Sequence, residues 1–236
     1  MNKLILNFKS KDTQKIKIPR NFLGGKGANL SEMGRMGLQV PPGFTISTKV
    51  CDLFYKDKKK LNKNIITSIK KELKAVEKEV SKKFGDLKNP LLLSVRSGAR
   101  VSMPGMMDTI LNLGLNDKTV KALASKTFNG RFAKDSYRRF IQMYGNVVMG
   151  VEGYHFEELI ENYKLTKGVI LDTELDEKDW DGLIEDFKKT VKEKANRDFP
   201  QDVYEQLLGA ISAVFLSWDS KRAKVYRKLN NIPAEW

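Results

Sequence analysis

The sequence has only one cysteine, Cys51, and one histidine, His155. A single cysteine cannot form an internal disulfide, so the cysteine content does not indicate an oxidising compartment. One cysteine and one histidine are also too few for a His/Cys metal site. No apolar run approaches the ~20 residues that span a bilayer, and the N-terminal hydrophobic stretch is too short for a secretory signal. We therefore expect a cytoplasmic protein with no membrane partner.

Arginine is scarce in spite of the formal net charge of +14, because lysine outnumbers it about threefold. The lysines are spread over predicted helix surfaces, whereas specific nucleic-acid contacts depend on arginine forks and aromatic stacking. The charge therefore favours a solvated surface with a general preference for anionic ligands, and no nucleic-acid partner. A non-catalytic basic module that binds anions or nucleic acid stays open as the alternative, and it would bind RNA or DNA with a steep salt dependence.

The hydrophobic pattern indicates strands near the N-terminus and helices after Leu115. Short β-like runs cover Leu4–Phe8 and Ile16–Ile18. Apolar residues then recur at helical spacing, giving an amphipathic helix of about twenty residues with Ile65, Ile69, Leu73, Val76 and Val80 on one face. Beyond Leu115 the pattern is almost entirely helical, with five or more further segments of this kind. We predict the α+β class.

The segment LLLSVRSGARVSMPGMMD, residues 91–108, changes abruptly from an apolar run to a loop with glycine, proline and methionine. Leu91–Val95 is too continuously apolar for an edge strand and predicts a central one. Arg96 follows at its C-terminal end, where α/β sheets place ligand-binding groups, and its planar fork suits phosphate. Arg100 is more ambiguous, since loop arginines are often only solvated. A second strand is expected at Thr109–Leu113.

The rest of this loop allows two interpretations. Its three methionines either pack beneath it or belong to a flexible lid in which Gly105 lets the backbone approach a nucleotide. The breakers Gly98, Pro104 and Gly105 could also serve only the turn geometry. Asp108 could hold a metal-bound water, although a lone loop aspartate is more often a turn or cap residue.

A glycine-rich segment, NFLGGKGANLSEMGRMG at residues 21–37, supplies a second candidate for anion contact. Gly24, Gly25 and Gly27 surround Lys26, and a helix is predicted to follow. Glycines before a helix let backbone N–H groups approach an anion, and Lys26 adds a point charge. The segment is not a Walker A loop, because Gly27 stands where that motif needs Ser or Thr. Taken alone, it is equally typical of a glycine-rich turn that enters a helix.

His155 and Cys51 are weaker candidates. His155 lies between Tyr154 and Phe156 at a predicted helix start, where a structurally satisfied histidine is expected, and no Ser/His/Asp set can be assembled around it. Cys51 has lysine-rich surroundings that could lower its pKa. Its neighbours Val50 and Phe54 favour a packing role instead.

Several long stretches resemble the pyruvate, phosphate dikinase family, and the resemblance covers essentially the whole chain. The most specific is SVRSGARVSMPGMMDTILNLGLND at residues 94–117, supported by LGGKGANLSEM, PPGFTIST, RFAKDSYRRFIQMYGNVVM and SWDSKRAKVYRKLNNIP. The related phosphoenolpyruvate synthases share the same mode of nucleotide binding and stay as an alternative. The SMPGMMD loop favours the dikinases.

The resemblance implies an ATP-grasp fold in which ATP lies between two lobes. Residues 1–115 plus 198–236 would form the first lobe, and residues 116–197 an inserted, mainly helical subdomain. By motif match, Lys26 and Arg96 would contact the nucleotide phosphates and act in catalysis. The two loops together add these candidate nucleotide-binding residues: Gly25, Gly27, Arg100, Gly105 and Asp108.

The resemblance also implies the reaction of ATP, pyruvate and phosphate to AMP, phosphoenolpyruvate and diphosphate, through a histidine on a separate domain. Mg²⁺ is the implied metal, with its ligands in a second ATP-grasp lobe expected after Trp236. The other implied partners are a phosphohistidine domain and a pyruvate-binding barrel, and the full enzyme is expected to be a homo-oligomer. We therefore expect this chain to be an inactive fragment that positions the phosphates of ATP, with ATP and phosphate as its small-molecule partners.

Overall fold

The computed structural model describes residues 3–233, which form nine α-helices and six short β-strands. The strands are β1 (Ile5–Asn7), β2 (Phe44–Ile46), β3 (Lys83–Phe84), β4 (Pro90–Leu91), β5 (Leu93–Arg96) and β6 (Thr109–Leu113). The helices are α1 (Pro19–Arg35), α2 (Thr48–Lys56), α3 (Lys63–Val80), α4 (Thr119–Thr127), α5 (Gly130–Val147), α6 (Tyr154–Lys167), α7 (Glu177–Ala195), α8 (Val203–Ser217) and α9 (Lys221–Leu229). This helix-rich mixture with small sheets agrees with the predicted α+β class.

The described residues divide into two compact units. The first takes in the chain up to Ser81, then Arg96–Thr109 and the residues from Ile211 onward. The second takes in Lys82–Val95 and Ile110–Ala210. The division predicted from sequence, 1–115 plus 198–236 against 116–197, concerns the lobes of an ATP-grasp fold and stays a prediction.

The first unit contains a two-stranded antiparallel ribbon covered by α1. In the ribbon β1 pairs with β2, with Leu6 opposite Thr45. Small residues of α1 face the ribbon: a Cβ added to Gly27 would lie 2.7 Å from Thr45 Oγ1, and one added to Gly34 would lie 3.3 Å from the Phe8 carbonyl oxygen. Ser31, between these glycines, is buried. The close approach of helix and ribbon therefore depends on residues with little or no side chain.

Helix α3 confirms the amphipathic pattern expected from the sequence. The Asn62 side chain caps its first turn by accepting a hydrogen bond from the Ile65 N–H at 3.0 Å. Four of the five expected apolar positions are buried, with 5% exposure or less at Ile65, Ile69, Leu73 and Val76. The lysines of the helix are exposed, as expected for an amphipathic surface helix, although Glu72 is buried.

Two strand predictions were wrong. Ile16 and Ile18 do not form a strand, because Pro19 begins α1 and Ile18 becomes its N-cap, with 59% of its surface exposed. Leu91–Val95 is not a central strand either: β4 ends at Leu91 and pairs with β3, whereas β5 pairs with β6, so each belongs to a two-stranded sheet. Only Leu91 of this run is buried, whereas Leu92, Leu93 and Val95 are half-buried, so the continuous apolar pattern overstated the burial of the segment.

The second unit has a helical core around α5 and α7. Tyr137, Phe140, Tyr144 and Phe199 form an aromatic cluster with ring centroids 5.5–6.2 Å apart. Trp180 of α7 is fully buried, and the Arg138 guanidinium lies 4.6 Å from the centre of its ring. Such edge-to-face rings and the cation–π contact add specific geometry to the apolar burial.

A buried glutamine organises the turn that follows β6 in this unit. Gln206 is fully buried, and its Oε1 accepts a hydrogen bond from the Gly114 N–H at 3.1 Å. Its Nε2 donates to the carbonyl oxygens of Leu115 and Pro200, both at 2.9 Å. One side chain thus satisfies three backbone groups that would otherwise be buried without partners.

No helix among residues 3–233 is both long enough and apolar enough to cross a membrane.

Candidate functional site

A sharp kink at Gly24 divides α1 in two. The helix begins at Pro19, earlier than the sequence predicted, and Gly24 interrupts it with φ 71° and ψ 171°. This backbone conformation is accessible essentially only to glycine. Lys26 therefore lies in the first turn after the kink, close to the position expected for a lysine at a helix start. The helix ends conventionally, with Gly37 at φ 78° and the Leu38 N–H bonded to the Met33 carbonyl oxygen at 3.1 Å.

The loop after β5 lies directly against this kink. A Cβ on Gly24 would fall 1.3 Å from the Gly98 carbonyl oxygen, so the two backbones touch. The Gly25 N–H donates to the Ala99 carbonyl oxygen at 2.9 Å. Arg100 adds a side-chain contact, since its Nε donates to the Asn21 carbonyl oxygen at 3.1 Å. The glycine-rich segment and the arginine loop, far apart in sequence, thus form one structure, which we call the kink–loop junction (residues 20–27 and 96–100).

Lys26 and Arg96 are brought together at this junction. Partial desolvation and then the positive charge of Arg96 lower the pKa of Lys26. Both side chains are exposed, and within the described residues neither has a hydrogen bond or an ion pair. Two neighbouring cations without a carboxylate partner repel each other and favour binding of an anion between them.

The glycines of the GGKG segment have structural tasks of their own. Gly24 forms the kink, and the Gly25 N–H donates a hydrogen bond to the Ala99 carbonyl oxygen. Gly27 allows α1 to contact Thr45 of β2. The Gly25 N–H is therefore already bonded within the protein, although the glycine pattern indicated it as a donor to an anion. Whether Gly25 and Gly27 also approach a nucleotide stays a prediction.

The methionine loop at residues 101–108 contains a tight turn at Pro104–Gly105. The Met106 N–H donates to the Met103 carbonyl oxygen at 3.1 Å, and Gly105 has φ 72°. Proline followed by a glycine at positive φ is typical of a type II turn. Met103 is buried, with 8% exposure, while Met106 is half-buried. Met103 therefore has the packing role that was one of the two interpretations, and a nucleotide contact at Gly105 stays a prediction.

Asp108 is held by the C-terminal part of the first unit. Its carboxylate pairs with the Arg222 guanidinium, and its backbone N–H donates to Ser217 Oγ at 3.3 Å. Arg222 Nε also donates to the Met106 carbonyl oxygen at 3.2 Å. The sequence pattern did not predict that Arg222 anchors this loop, although Asp108 and Arg222 both lie in stretches that carry the family resemblance. A nucleotide contact by Asp108 stays a prediction.

Neither His155 nor Cys51 shows an arrangement for catalysis. His155, in the first turn of α6, stacks against Tyr154 with ring centroids 4.0 Å apart. At Cys51, burial and then the negative charges of Asp52 and Asp219 raise the pKa of the thiol to about 12. The packing interpretation of Cys51 therefore agrees with the structure, and a reactive thiolate does not.

We expect Cys51 to react with iodoacetamide at pH 8 at least about tenfold more slowly than a free cysteine, because only the thiolate is nucleophilic. Mass spectrometry of timed samples would measure the rate. The same protein in denaturant is the control, and its rate should equal that of a free cysteine. An equally fast reaction in the folded protein would contradict the raised pKa.

Comparison with known proteins identifies the family. A family model described as "Pyruvate phosphate dikinase, AMP/ATP-binding domain" matches residues 20–73 and 58–236. The chain belongs to this family. Both halves of the kink–loop junction lie within the matched region.

Relatives of the chain are much longer than the chain itself. It is 54% identical over 218 residues to pyruvate, phosphate dikinase of Clostridium symbiosum, covering 92% of this chain and 25% of that protein. Identity to the dikinase of Entamoeba histolytica is 50% over 216 residues, covering 92% and 24%. Identity to a chloroplastic dikinase of Flaveria pringlei is 53% over 213 residues, covering 90% and 22%. The chain spans about a quarter of the length of these relatives.

Proposed function

We propose that this chain is the first ATP-grasp lobe of a pyruvate, phosphate dikinase and holds the phosphate groups of ATP. The observation that carries the proposal is the pair of exposed cations, Lys26 and Arg96, which have no ion-pair partner among residues 3–233. The family description, which names AMP and ATP, supports the choice of a nucleotide over a simple anion.

The two side chains offer complementary contacts to a polyphosphate. The Arg96 guanidinium can bind two phosphate oxygens at once, and its position at the end of β5 limits its freedom. Lys26 supplies a compact charge from the first turn after the kink. Phosphoryl transfer requires positioning and charge neutralisation more than covalent help, and these residues can supply both.

In the complete enzyme, a phosphoryl group from ATP would pass to a histidine on another domain. The balanced overall reaction is ATP, pyruvate and phosphate to AMP, phosphoenolpyruvate and diphosphate. The second ATP-grasp lobe, the histidine domain and the pyruvate-binding barrel would come from outside this chain, and the homo-oligomeric state of the enzyme is likewise a proposal. The chain alone is expected to bind ATP weakly and to turn over nothing.

The described residues do not fit a magnesium site. Among residues 3–233, no group of three or more His, Cys, Asp or Glu side chains is placed to bind a metal ion. Asp108, the acidic candidate of the methionine loop, is paired with Arg222. The family resemblance, and not this absence, is the reason to propose Mg²⁺ ligands in the other lobe, and the roles of Lys26 and Arg96 are derived without the metal.

Removing either cation tests the proposal in a full-length dikinase that contains this region. Lys26→Met and Arg96→Met should each lower ATP-dependent phosphorylation of the histidine by about 100-fold or more, the range for loss of one preorganised electrostatic contact. The exchange between pyruvate and phosphoenolpyruvate should persist, because it needs neither residue. Radiolabel transfer from ATP and isotope exchange measure the two half-reactions.

Lys17→Met, which removes an exposed lysine outside the kink–loop junction, is the matched control and should leave both half-reactions unchanged. Loss of both half-reactions in the Lys26 or Arg96 variant would indicate misfolding. Full ATP-dependent phosphorylation in both variants would refute the proposed phosphate contacts.

A further inference from the structure

Arg20 is a cation at the kink–loop junction, and neither the sequence pattern nor the family description gives it a role. It follows Pro19 in the first turn of α1. Its Nε lies 4.0 Å from the position of a Cβ on Gly25, and the carbonyl oxygens of Ala99 and Arg100 lie 3.4 and 3.7 Å from that point. The Arg20 guanidinium therefore lies beside the contact that joins the kink to the loop.

The junction concentrates positive charge. Arg20 and Lys26 belong to the kinked start of α1, Arg96 ends β5, and Arg100 lies in the loop that follows β5 and contacts the kink. Within the described residues none of the four makes an ion pair. The Arg100 Nε–H donates to a backbone carbonyl, whereas Arg20 is exposed and its guanidinium has no hydrogen bond among residues 3–233.

The position of Arg20 on its own helix is electrostatically unfavourable. The start of a helix carries a partial positive charge, so an arginine in the first turn is unfavourable there. Arg20 therefore contributes nothing evident to the stability of α1, and its guanidinium keeps its donors available for a ligand.

We propose that Arg20 is a further phosphate-binding residue, which contacts the same anion as Lys26 and Arg96 and favours ATP over AMP. The inference rests on the proposed function. ATP carries two more phosphates than AMP, so its longer and more negatively charged chain can engage a third cation that a monophosphate leaves unused. Arg20 thereby links affinity to the length of the phosphate chain.

Calorimetric titration of the 236-residue chain with ATP and with AMP tests this role. Arg20→Gln should weaken ATP binding by about tenfold, the effect of losing one charge-assisted contact. AMP binding should change by about twofold or less, since the third cation would not reach its single phosphate. The thermal midpoint should be unchanged or slightly raised, because the unfavourable charge at the helix start is gone.

Arg35→Gln is the matched control, since Arg35 is an exposed arginine in the last turn of the same helix, and it should bind both nucleotides like the unaltered chain. If Arg20→Gln binds ATP as well as Arg35→Gln does, or weakens ATP and AMP equally, the role of Arg20 is refuted. If the unaltered chain and its Lys26→Met variant bind ATP equally weakly, the proposed function itself fails. These two failures are distinguishable because only the second involves Lys26.

Discussion

Gly24→Ala is expected to lower the free energy of unfolding by about 3 kcal/mol or more. The new Cβ would lie 1.3 Å from the Gly98 carbonyl oxygen, and no side-chain rotation relieves this clash, because the backbone fixes the positions of both the Cβ and the oxygen. The conformation at φ 71° and ψ 171° is also strained for alanine. The loop must therefore move away from α1, breaking the Gly25–Ala99 hydrogen bond. Urea denaturation would measure the loss of stability.

Gly37→Ala separates the two causes of this effect. Gly37 belongs to the same segment and also has positive φ, at 78°, but a Cβ there would have nothing within 4 Å. We expect a loss of only about 1 kcal/mol, the conformational penalty without the clash. Faster hydrogen exchange at the Gly25 amide should appear in the Gly24 variant and not in the Gly37 variant. Equal destabilisation by both substitutions would show that the close contact with Gly98 is unimportant.

Gln206→Ala should destabilise the protein by about 3 kcal/mol, because it removes the partners of three buried backbone groups at once. The Gly114 N–H and the carbonyl oxygens of Leu115 and Pro200 would remain buried without hydrogen bonds. The deleted side chain would also leave a cavity in the second unit. The free energy of unfolding from urea titration gives the measurement.

The control for Gln206 is Gln14→Ala, which shortens an exposed glutamine and should change stability by about 0.5 kcal/mol or less. Gln206→Leu separates volume from hydrogen bonding, since leucine refills the space but cannot bond to the three groups. It should restore only part of the lost stability. If Gln206→Leu were as stable as the unaltered protein, the hydrogen bonds would not be the cause.

Much of the helical structure could be predicted from local sequence. The spacing of Ile65, Ile69 and Leu73 predicts α3, and the structure buries those positions. A helix satisfies its backbone hydrogen bonds within one segment, so its face and approximate bounds are already present in the residue pattern. The same reasoning failed at Leu91–Val95, because strand pairing depends on partners that the local pattern does not contain.

For the candidate site, the sequence offers candidate side chains whose roles stay a proposal, whereas their surroundings come from the tertiary structure. Residue type and family resemblance singled out Lys26 and Arg96, and the structure places them in one neighbourhood. Local patterns did not predict the pairing of Asp108 with Arg222, since these residues belong to segments far apart in the chain. Nothing in the sequence indicated a binding role for Arg20, because a single arginine at a helix start is not a distinctive pattern.

By itself, the sequence determined the α+β class, most helices, the family and the two cations that we propose bind phosphate. Only the tertiary structure decided which glycine of the GGKG segment forms the kink and what lies against it. All three glycines could adopt positive φ, but only Gly24 does so. Gly24 is required at the kink because the Gly98 loop, which is distant in sequence, lies against it and leaves no room for a Cβ at residue 24.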